Sequence, residues 1–200
     1  MGSEPVMLTV IVTGLPGVGK TTVLNALKGV SERNGMNISI VNFGTAMSEI
    51  LRRKGLALDR DDIRRQDMAL QREVQEEAAR EISKMGGGEI LVVDTHMFVK
   101  TDCGLWPGLP MNVLSKLSPS LLVLIEAPPE EISNRRASDK SRRRDEASRI
   151  VIEQELNWSR SLAAACSVMT GAPVKIINNE PGKHLEAAEE LFGIISKMVR

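Results

Sequence analysis

The sequence predicts an α/β fold in which a five-stranded parallel sheet lies between two layers of helices. Three observations predict it: short apolar runs alternate with helical patterns, the runs are rich in β-branched residues, and a glycine-rich segment follows the first run. Alternating strands and helices are typical of a parallel sheet, and β-branched apolar runs are typical of strands buried on both faces. The predicted strands cover residues 8–13, 38–43, 89–94, 120–126 and 174–178.

The segment after the first predicted strand, GLPGVGKT, matches the phosphate-binding pattern G-x-x-x-x-G-K-[ST]. A helical pattern follows it, with apolar residues at Val23, Leu24, Leu27 and Val30. The motif therefore has the strand before it and the helix after it that it requires, which argues against a chance glycine-rich turn. It predicts a three-layer P-loop NTPase fold.

In such a loop the backbone N–H groups face phosphate oxygens, the lysine reaches the β- and γ-phosphates, and the next hydroxyl ligates magnesium. We therefore predict Lys20 as a catalytic residue and Thr21 as a magnesium ligand. The predicted ATP site comprises Gly14, Leu15, Pro16, Gly17, Val18, Gly19, Lys20, Thr21 and Thr22.

Length and composition limit the other possibilities. The 200 residues fit a single domain, and Lys+Arg and Asp+Glu both number 26, so no net field favours nucleic acid as a partner. Two cysteines, Cys103 and Cys166, are too few for a disulfide framework or a zinc site, which indicates a reducing, cytoplasmic environment. The start of the chain does not resemble a signal peptide, and no apolar run has membrane-spanning length. We expect no membrane partner.

The longest insertion, residues 44–87, lies between the second and third predicted strands and has a helical pattern throughout. Residues 59–62 resemble a capped helix start, and an apolar stripe at helical spacing ends at the glycines 86–88. The stripe consists of Leu70, Val74, Ala78, Ile82 and Met85. An insertion of this kind is typical of the acceptor lobe of a small kinase.

A basic run follows the fourth predicted strand: Arg135, Arg136, Lys140, Arg142, Arg143, Arg144 and Arg149. Such a run is often only a solvated helix face. Beside a phosphate-binding loop we favour function, because guanidinium groups neutralise the charge of a polyphosphate. We therefore interpret residues 135–149 as a short arginine-rich lid, with Arg135, Arg142 and Arg144 as catalytic candidates.

The third predicted strand ends at Asp94, where a P-loop fold places a magnesium-binding carboxylate. The alternative is a solvated strand end. Thr95 and His96 follow directly. His96 fits equally well a contact with a substrate phosphate or base and an ordinary hydrogen bond at a strand end.

Three further segments have a predicted local structure. Residues 103–110, rich in glycine and proline, predict a rigid surface loop without regular structure. A helix is predicted from Glu146 to Thr170, with its core side at Trp158, Leu162, Cys166 and Met169. The last helix, residues 185–199, has a predicted buried stripe at Leu191, Ile194, Ile195 and Met198.

The loop motif alone does not distinguish a kinase from a GTPase or a transport ATPase. The chain carries neither an Asn-Lys-x-Asp guanine-binding motif nor a Ser-Gly-Gly transporter signature. The insertion and the basic run both favour a small kinase, because lobes that close over the phosphates exclude water during transfer.

Taken together, these blocks resemble the archaeal-type adenylate kinases over nearly the whole chain. The resemblance rests on VTGLPGVGKTT (12–22), NFG (42–44), DRDDIR (59–64), DTH (94–96), LWPGLP (105–110) and RRRD (142–145). It implies interconversion of ATP plus AMP with two ADP, using Mg²⁺. It also implies a cytoplasmic enzyme that assembles as a homo-oligomer, with a trimer suspected.

The chain departs from the resemblance in places. Position 45 is Thr where relatives often have Asp, and neither an Asp-Gly-Phe-Pro-Arg block nor a long zinc-capable lid is present. We therefore assign the AMP site to Arg60 and Arg64, with Arg52 behind them, and to Thr95 and His96; the arginines also fit a charged helix surface. Two other functions stay open: a kinase for another nucleotide or small molecule, and a kinase-like ATPase switch.

Overall fold

A computed structural model describes residues 8–56, 67–85, 90–101, 104–138 and 148–199. Its main sheet consists of five strands: β1 (Leu8–Thr13), β2 (Ile38–Asn42), β3 (Ile90–Asp94), β6 (Leu121–Glu126) and β7 (Val174–Asn178). All five are parallel, in the order β2-β3-β1-β6-β7. The predicted five-stranded parallel sheet is therefore confirmed.

Seven helices are described around this sheet within those ranges: α1 (Lys20–Arg33), α2 (Phe43–Arg53), α3 (Met68–Ile82), α4 (Met111–Leu117), α5 (Pro129–Ser138), α6 (Arg149–Thr170) and α7 (His184–Met198). Helix α1 packs on α7, while α2, α3, α4 and α6 form a second chain of contacts, each with the next. Since β1, β3 and β6 are buried almost throughout, both faces of the sheet are covered. Within the described residues no helix is long and apolar enough to cross a bilayer.

Strand register brings polar side chains together at one edge of the sheet. Asp94, the last residue of β3, lies opposite Val12 of β1 and Asn42 of β2. On the other side of β1, Glu126 at the end of β6 lies opposite Asn178 of β7. Because all five strands run in the same direction, their carboxyl ends form a single edge, and the loop after β1 begins there.

The prediction of an irregular loop at residues 103–110 was wrong. Residues Gly104–Pro107 form β5, which pairs antiparallel with β4 (Phe98–Thr101) as a separate two-stranded ribbon. Pro107 ends this strand opposite Phe98, a position where the missing N–H is tolerated. Residues 102 and 103 lie outside the described part, and Leu109 and Pro110 lead into α4.

The predicted core side of α6 was wrong in part. Cys166 is buried and Leu162 packs against the core, but Trp158 is 44% exposed and Met169 is also exposed. The buried side carries Ile152, Glu155, Leu156, Ser159, Ala163 and Cys166. Two polar residues take core positions here, and Trp158 instead contacts Phe98 of the ribbon edge to face, with centroids 6.2 Å apart.

The insertion and the last helix are close to prediction. In α3 the stripe residues Val74, Ala78 and Ile82 are buried, while Met85 beyond the helix is exposed. In α7 Leu191 and Ile195 are buried and Ile194 is partly buried, but Met198 is exposed at the end of the helix. The predicted helix start at 59–62 and the glycines 86–88 lie outside the described residues.

Candidate active site

The glycine-rich loop runs from the end of β1 to the start of α1. Gly19 is the N-cap of α1 and has φ 84°, a left-handed conformation that glycine adopts without strain. Gly14 lies so close to the neighbouring strand that a Cβ there would be 2.6 Å from the Ile125 carbonyl oxygen. The first-turn N–H groups of α1 therefore open onto the loop, and the helix start carries partial positive charge.

Lys20 and Asp94 form an ion pair at the mouth of this loop, Lys20 Nζ donating to Asp94 Oδ1. The other carboxylate oxygen of Asp94 accepts from Asn42 Nδ2 at 2.6 Å. Both charges are shielded, since Lys20 is 8% exposed and Asp94 is 7% exposed. Asp94 is thus not a solvated strand end, and the structure brings the predicted lysine and carboxylate together.

The two residues after Asp94 are fixed to the same place. Thr95 is buried, and its backbone N–H donates to the Val12 carbonyl at 3.0 Å. His96 Nδ1 lies 2.9 Å from the Gly14 carbonyl oxygen. Because a carbonyl can only accept, Nδ1 carries the proton in this contact. His96 therefore holds the first glycine of the loop.

Side chains from outside the motif hold the carbonyl side of the loop. Arg135 Nη1 of α5 donates to the carbonyl oxygens of Val18 at 3.0 Å and Gly17 at 3.3 Å, and its Nε donates to Glu131 at 2.7 Å. Asn179, directly after β7, donates from Nδ2 to the Val18 carbonyl at 2.7 Å and is itself buried. Of these, Arg135 was predicted as a site residue and Asn179 was not.

The donor atoms near the loop fit a magnesium ion that arrives with a nucleotide. Thr21 and Thr22 are exposed in the first turn of α1, so the Thr21 hydroxyl is accessible as a hard oxygen ligand. The Asp94 carboxylate, now held by Lys20 and Asn42, is a second hard oxygen group at the same place. Among the described residues no group of three or more His, Cys, Asp or Glu is placed to hold a metal. Magnesium is commonly bound by one or two protein groups together with substrate phosphates, which this arrangement matches.

The remaining predicted residues are Arg52, assigned to the AMP site, and four arginines outside the described part. Arg52 is exposed in the last turn of α2, about 15 Å along the helix from its N-cap Asn42 at 1.5 Å per residue. Arg60, Arg64, Arg142 and Arg144 lie outside the described residues.

Sequence reasoning missed Arg136, Glu155 and Asn179, all buried beside the loop. For Glu155 a signal did exist: it occupies the same helix side as Ile152, Leu156 and Ser159, and an acidic residue on a buried stripe needs a partner. Arg136 was seen only as a member of the basic run.

Comparisons with known proteins agree with this architecture. The AAA domain family matches residues 13–153. Curated adenylate kinases match nearly the whole chain: that of Thermoplasma acidophilum is 44% identical over 93% of this chain and 97% of its own length. That of Methanococcus aeolicus is 40% identical over 93% of this chain and 96% of its own.

Solved structures support the fold alone. A shikimate kinase from Bacteroides thetaiotaomicron has a TM-score of 0.59 at 14% identity, covering 95% of this chain and 99% of that one. A shikimate kinase from Acinetobacter baumannii, solved in complex with shikimate, has a TM-score of 0.57 at 18% identity, covering 96% and 95%.

Proposed function

This chain belongs to the adenylate kinases, of the archaeal type, and we propose how its residues hold the two nucleotides and move the phosphoryl group. It is an enzyme, an adenylate kinase, that interconverts ATP plus AMP with two ADP. The observation that carries the assignment of residues is the loop at Gly14–Thr22, which opens at the start of α1 next to the buried Lys20–Asp94 pair.

ATP is proposed to lie with its phosphates in the loop formed by residues 14–22. The N–H groups at the start of α1 and the Lys20 ammonium are the groups that would bind the phosphate oxygens there. Lys20 must exchange its partner Asp94 for a phosphate oxygen when ATP binds. Support comes from the geometry of the loop, whose carbonyl groups are engaged by Arg135 and Asn179 on the other side.

Magnesium is proposed to be held by the Thr21 hydroxyl and by Asp94, directly or through water. When bound, the ion neutralises charge that develops on the phosphate oxygens. Asn42 keeps the Asp94 carboxylate oriented toward the loop, because it bonds one oxygen from the neighbouring strand.

AMP is proposed to lie under the insertion at residues 44–87, with its phosphate held by Arg60 and Arg64, by Arg52 behind them, and by Thr95 and His96. The position of the insertion supports this, since α2 begins directly after Asn42 at the sheet edge that carries Asp94. His96 lies beside the first glycine of the loop, since its Nδ1 contacts the Gly14 carbonyl oxygen.

The transfer itself requires no protein nucleophile. The AMP phosphate oxygen attacks the γ-phosphorus of ATP in line, and the bond from that phosphorus to the β–γ bridging oxygen breaks, so that one ADP leaves and the acceptor becomes the other. Lys20 with Arg135, Arg142 and Arg144 stabilises the charge that spreads over the transferring group. Residues 135–149 are proposed as the lid that excludes water, so that ATP is not hydrolysed instead. Arg135 already lies against the loop, at the base of that segment.

Assembly and location are proposed from the family resemblance: a cytoplasmic homo-oligomer, with a trimer as the expected state. Nucleic acid and membranes are not expected partners of a chain with no net charge. Light scattering coupled to size-exclusion chromatography tests the trimer, and a monomer or dimer would contradict it.

The decisive experiment supplies ADP alone with magnesium to the purified chain. An enzyme with two adjacent nucleotide sites must run the reverse reaction and release equal amounts of ATP and AMP, whereas a hydrolase releases phosphate. Chromatography of the nucleotides separates the two results. If no ATP forms from ADP while another acceptor is phosphorylated by ATP, the acceptor assignment fails and the loop assignment stands.

A further inference from the structure

Two buried charged residues connect the loop to the helices that flank residues 139–147. Arg136 of α5 donates from Nε to the Pro16 carbonyl at 2.8 Å and from Nη2 to Glu155 Oε2 of α6 at 2.8 Å. Arg136 is 9% exposed and Glu155 is 2% exposed. The other carboxylate oxygen of Glu155 lies 2.5 Å from Lys100 Nζ on the ribbon strand β4. A continuous polar path therefore runs from the ribbon to the loop.

A bond to a backbone carbonyl also fixes the direction of a backbone N–H. In a trans peptide the C=O and the N–H of one unit point in opposite directions, and no cis peptide occurs among the described residues. Arg136, by holding the Pro16 carbonyl, therefore turns the Gly17 N–H to the opposite side of the loop. Through the Val18 carbonyl, Arg135 and Asn179 do the same for the Gly19 N–H.

We propose that Arg136, held by Glu155, is a positioning residue that sets the phosphate-binding conformation of the loop from outside the motif. The proposal rests on the assignment of ATP phosphates to the loop made above. Arg136 itself is not proposed to touch a nucleotide. It acts through the Pro16–Gly17 peptide, whose N–H faces the phosphates.

The chemistry of the pair supports a role beyond packing. Two apolar side chains of similar volume usually stabilise a buried site at least as well as an ion pair does. They cannot, however, donate a hydrogen bond to Pro16 while holding a partner on a second helix, which the guanidinium fork does. A cavity of about 190 Å³ lies along Gly14, Leu15 and Pro16. Because this side of the loop is not tightly packed, apolar contacts do not replace the hydrogen bond from Arg136 in fixing Pro16.

The test replaces both charges at once, Arg136→Met with Glu155→Met, so that no buried charge is left without its partner. The probe is inorganic tripolyphosphate, which has no base or ribose and so reports on phosphate binding alone. Its dissociation constant is measured by calorimetry with AMP present at saturation, so that the proposed acceptor site is occupied. We expect it to bind the double variant at least tenfold more weakly, while the affinity for AMP stays within twofold. The melting temperature should stay close to that of the parent.

A matched control is available on the same helix. Arg160 of α6 forms a two-pronged ion pair with Glu126, at 2.9 and 2.5 Å. Arg160→Met with Glu126→Met removes the same chemistry without removing a bond to a loop carbonyl, so tripolyphosphate affinity should stay at the parent value. A second variant, Arg136→Lys, keeps the charge opposite Glu155 but not the fork, and should also weaken tripolyphosphate binding.

The outcomes separate the possibilities. Parent-like tripolyphosphate affinity in both Arg136 variants overturns the proposal and leaves the pair a packing feature. An equal loss in the Arg160 control also overturns it, because the effect is then one of charge in general. If the parent itself fails to bind tripolyphosphate, the assignment of ATP to the loop fails first, and the proposal falls with it.

Discussion

The loop region and the insertion are built in different ways. Around the loop, polar contacts are buried and connect segments far apart in the sequence, such as Lys20 with Asp94 and Asn179 with Val18. In the described part of the insertion, α2 and α3 share an apolar stripe, and their ion pairs lie at the surface. Those pairs are Arg53 with Glu81, Lys54 with Glu73 and Glu77, and, toward α4, Lys116 with Glu76.

The difference indicates which property each region controls. Buried polar contacts fix the directions of individual groups. Substitutions near the loop should therefore lower activity by more than their effect on stability explains. Apolar packing does not depend on the direction of single bonds, but it is sensitive to the volume of the buried side chains. Substitutions in the insertion should therefore lower stability before they lower activity. Four substitutions test this contrast, in order of decreasing expected effect.

The largest effect is expected from Lys20→Met. Loss of the ammonium that faces the transferring phosphoryl group should lower kcat by about a thousandfold or more. The fold should persist with lower stability, by about 3–5 kcal/mol, because Asp94 is left buried with Asn42 as its described partner. Steady-state kinetics and thermal unfolding measure the two effects.

Two controls belong with Lys20→Met. Lys28→Met, on the exposed side of the same helix, should be silent in both measurements. Adding Asp94→Asn to Lys20→Met should recover stability but not activity. Retention of more than about a tenth of the parent rate in Lys20→Met contradicts the role given to this lysine.

Gly19→Ala should come second. The added Cβ would lie 2.4 Å from Asn179 Nδ2 and 3.0 Å from Arg135 Nη1, at φ 84°. Both the crowding and the left-handed backbone displace the loop, so kcat/KM for ATP should fall by about a hundredfold, or about 2.7 kcal/mol. Steady-state kinetics measures the fall in kcat/KM, and calorimetry measures the change in ATP affinity for comparison with it.

Two other glycines separate the causes of the Gly19→Ala effect. Gly29→Ala adds a methyl group in the middle of α1 where nothing lies within 4 Å, and should be neutral or stabilising. Gly35→Ala carries the backbone strain alone, since its φ is 68° and the space around it is open. A hundredfold loss in Gly35→Ala would show that the loop is not the reason.

Leu51→Ala is the corresponding change in the insertion. Leu51 is fully buried in α2, which packs on α3, so the cavity should cost about 2–5 kcal/mol of unfolding free energy. Tripolyphosphate affinity should stay at the parent level below the melting transition. Leu56→Ala, at an exposed leucine just beyond α2, is the control and should change neither. If Leu51→Ala weakens tripolyphosphate binding as Gly19→Ala does, the two regions are not separable.

The smallest effect is expected from Lys54→Gln. Hydrogen bonds to Glu73 and Glu77 raise the pKa of Lys54 above its ordinary value of 10.5. A raised lysine pKa stabilises the folded state below the unfolded value, and this contribution is lost as the pH rises through the folded value. Lys54→Gln should therefore lower the melting temperature slightly at pH 8, and not at all well above pH 10.5 or in molar salt.

The exposed Lys84, just after α3, gives the matched comparison for Lys54. Lys84→Gln should show the same melting temperature as the parent at every pH. A deficit in Lys54→Gln that persists above the titration range would mean that the loss is one of packing by its methylene groups.

Local patterns predicted the parts of the fold that are determined locally. The strands at 8–13 and 174–178 have the predicted ends, because turn residues on both sides of a β-branched run mark where the strand begins and ends. The ribbon was missed because the pairing of Gly104–Pro107 with Phe98–Thr101 is made by backbone hydrogen bonds. A segment that contains glycine and proline does not show the pattern of a strand. Trp158 was wrongly placed in the core for a related reason. The buried side of α6 carries Glu155, whose ion pair with Arg136 is not visible in the local pattern.

The candidate site divides in the same manner. Lys20 and Asp94 were predicted to meet because a motif and a strand end specify their places. Asn179 was not, although it lies against the loop, because its contact with Val18 spans 161 residues and no pattern within either segment encodes it. Contacts of this length depend on the assembled sheet, in which β7 is brought beside β6.

The Lys20–Asp94 pair has a consequence for selectivity. Lys20 is already paired with the shielded Asp94 carboxylate, so an anion that enters the loop must displace that carboxylate from the lysine. A singly charged anion gains too little to displace that carboxylate, because the attraction grows with the charge brought near the ammonium. A triphosphate brings several charges at once and is met by the loop amides as well. We therefore expect the loop to bind a polyphosphate in preference to the small anions of the surrounding salt.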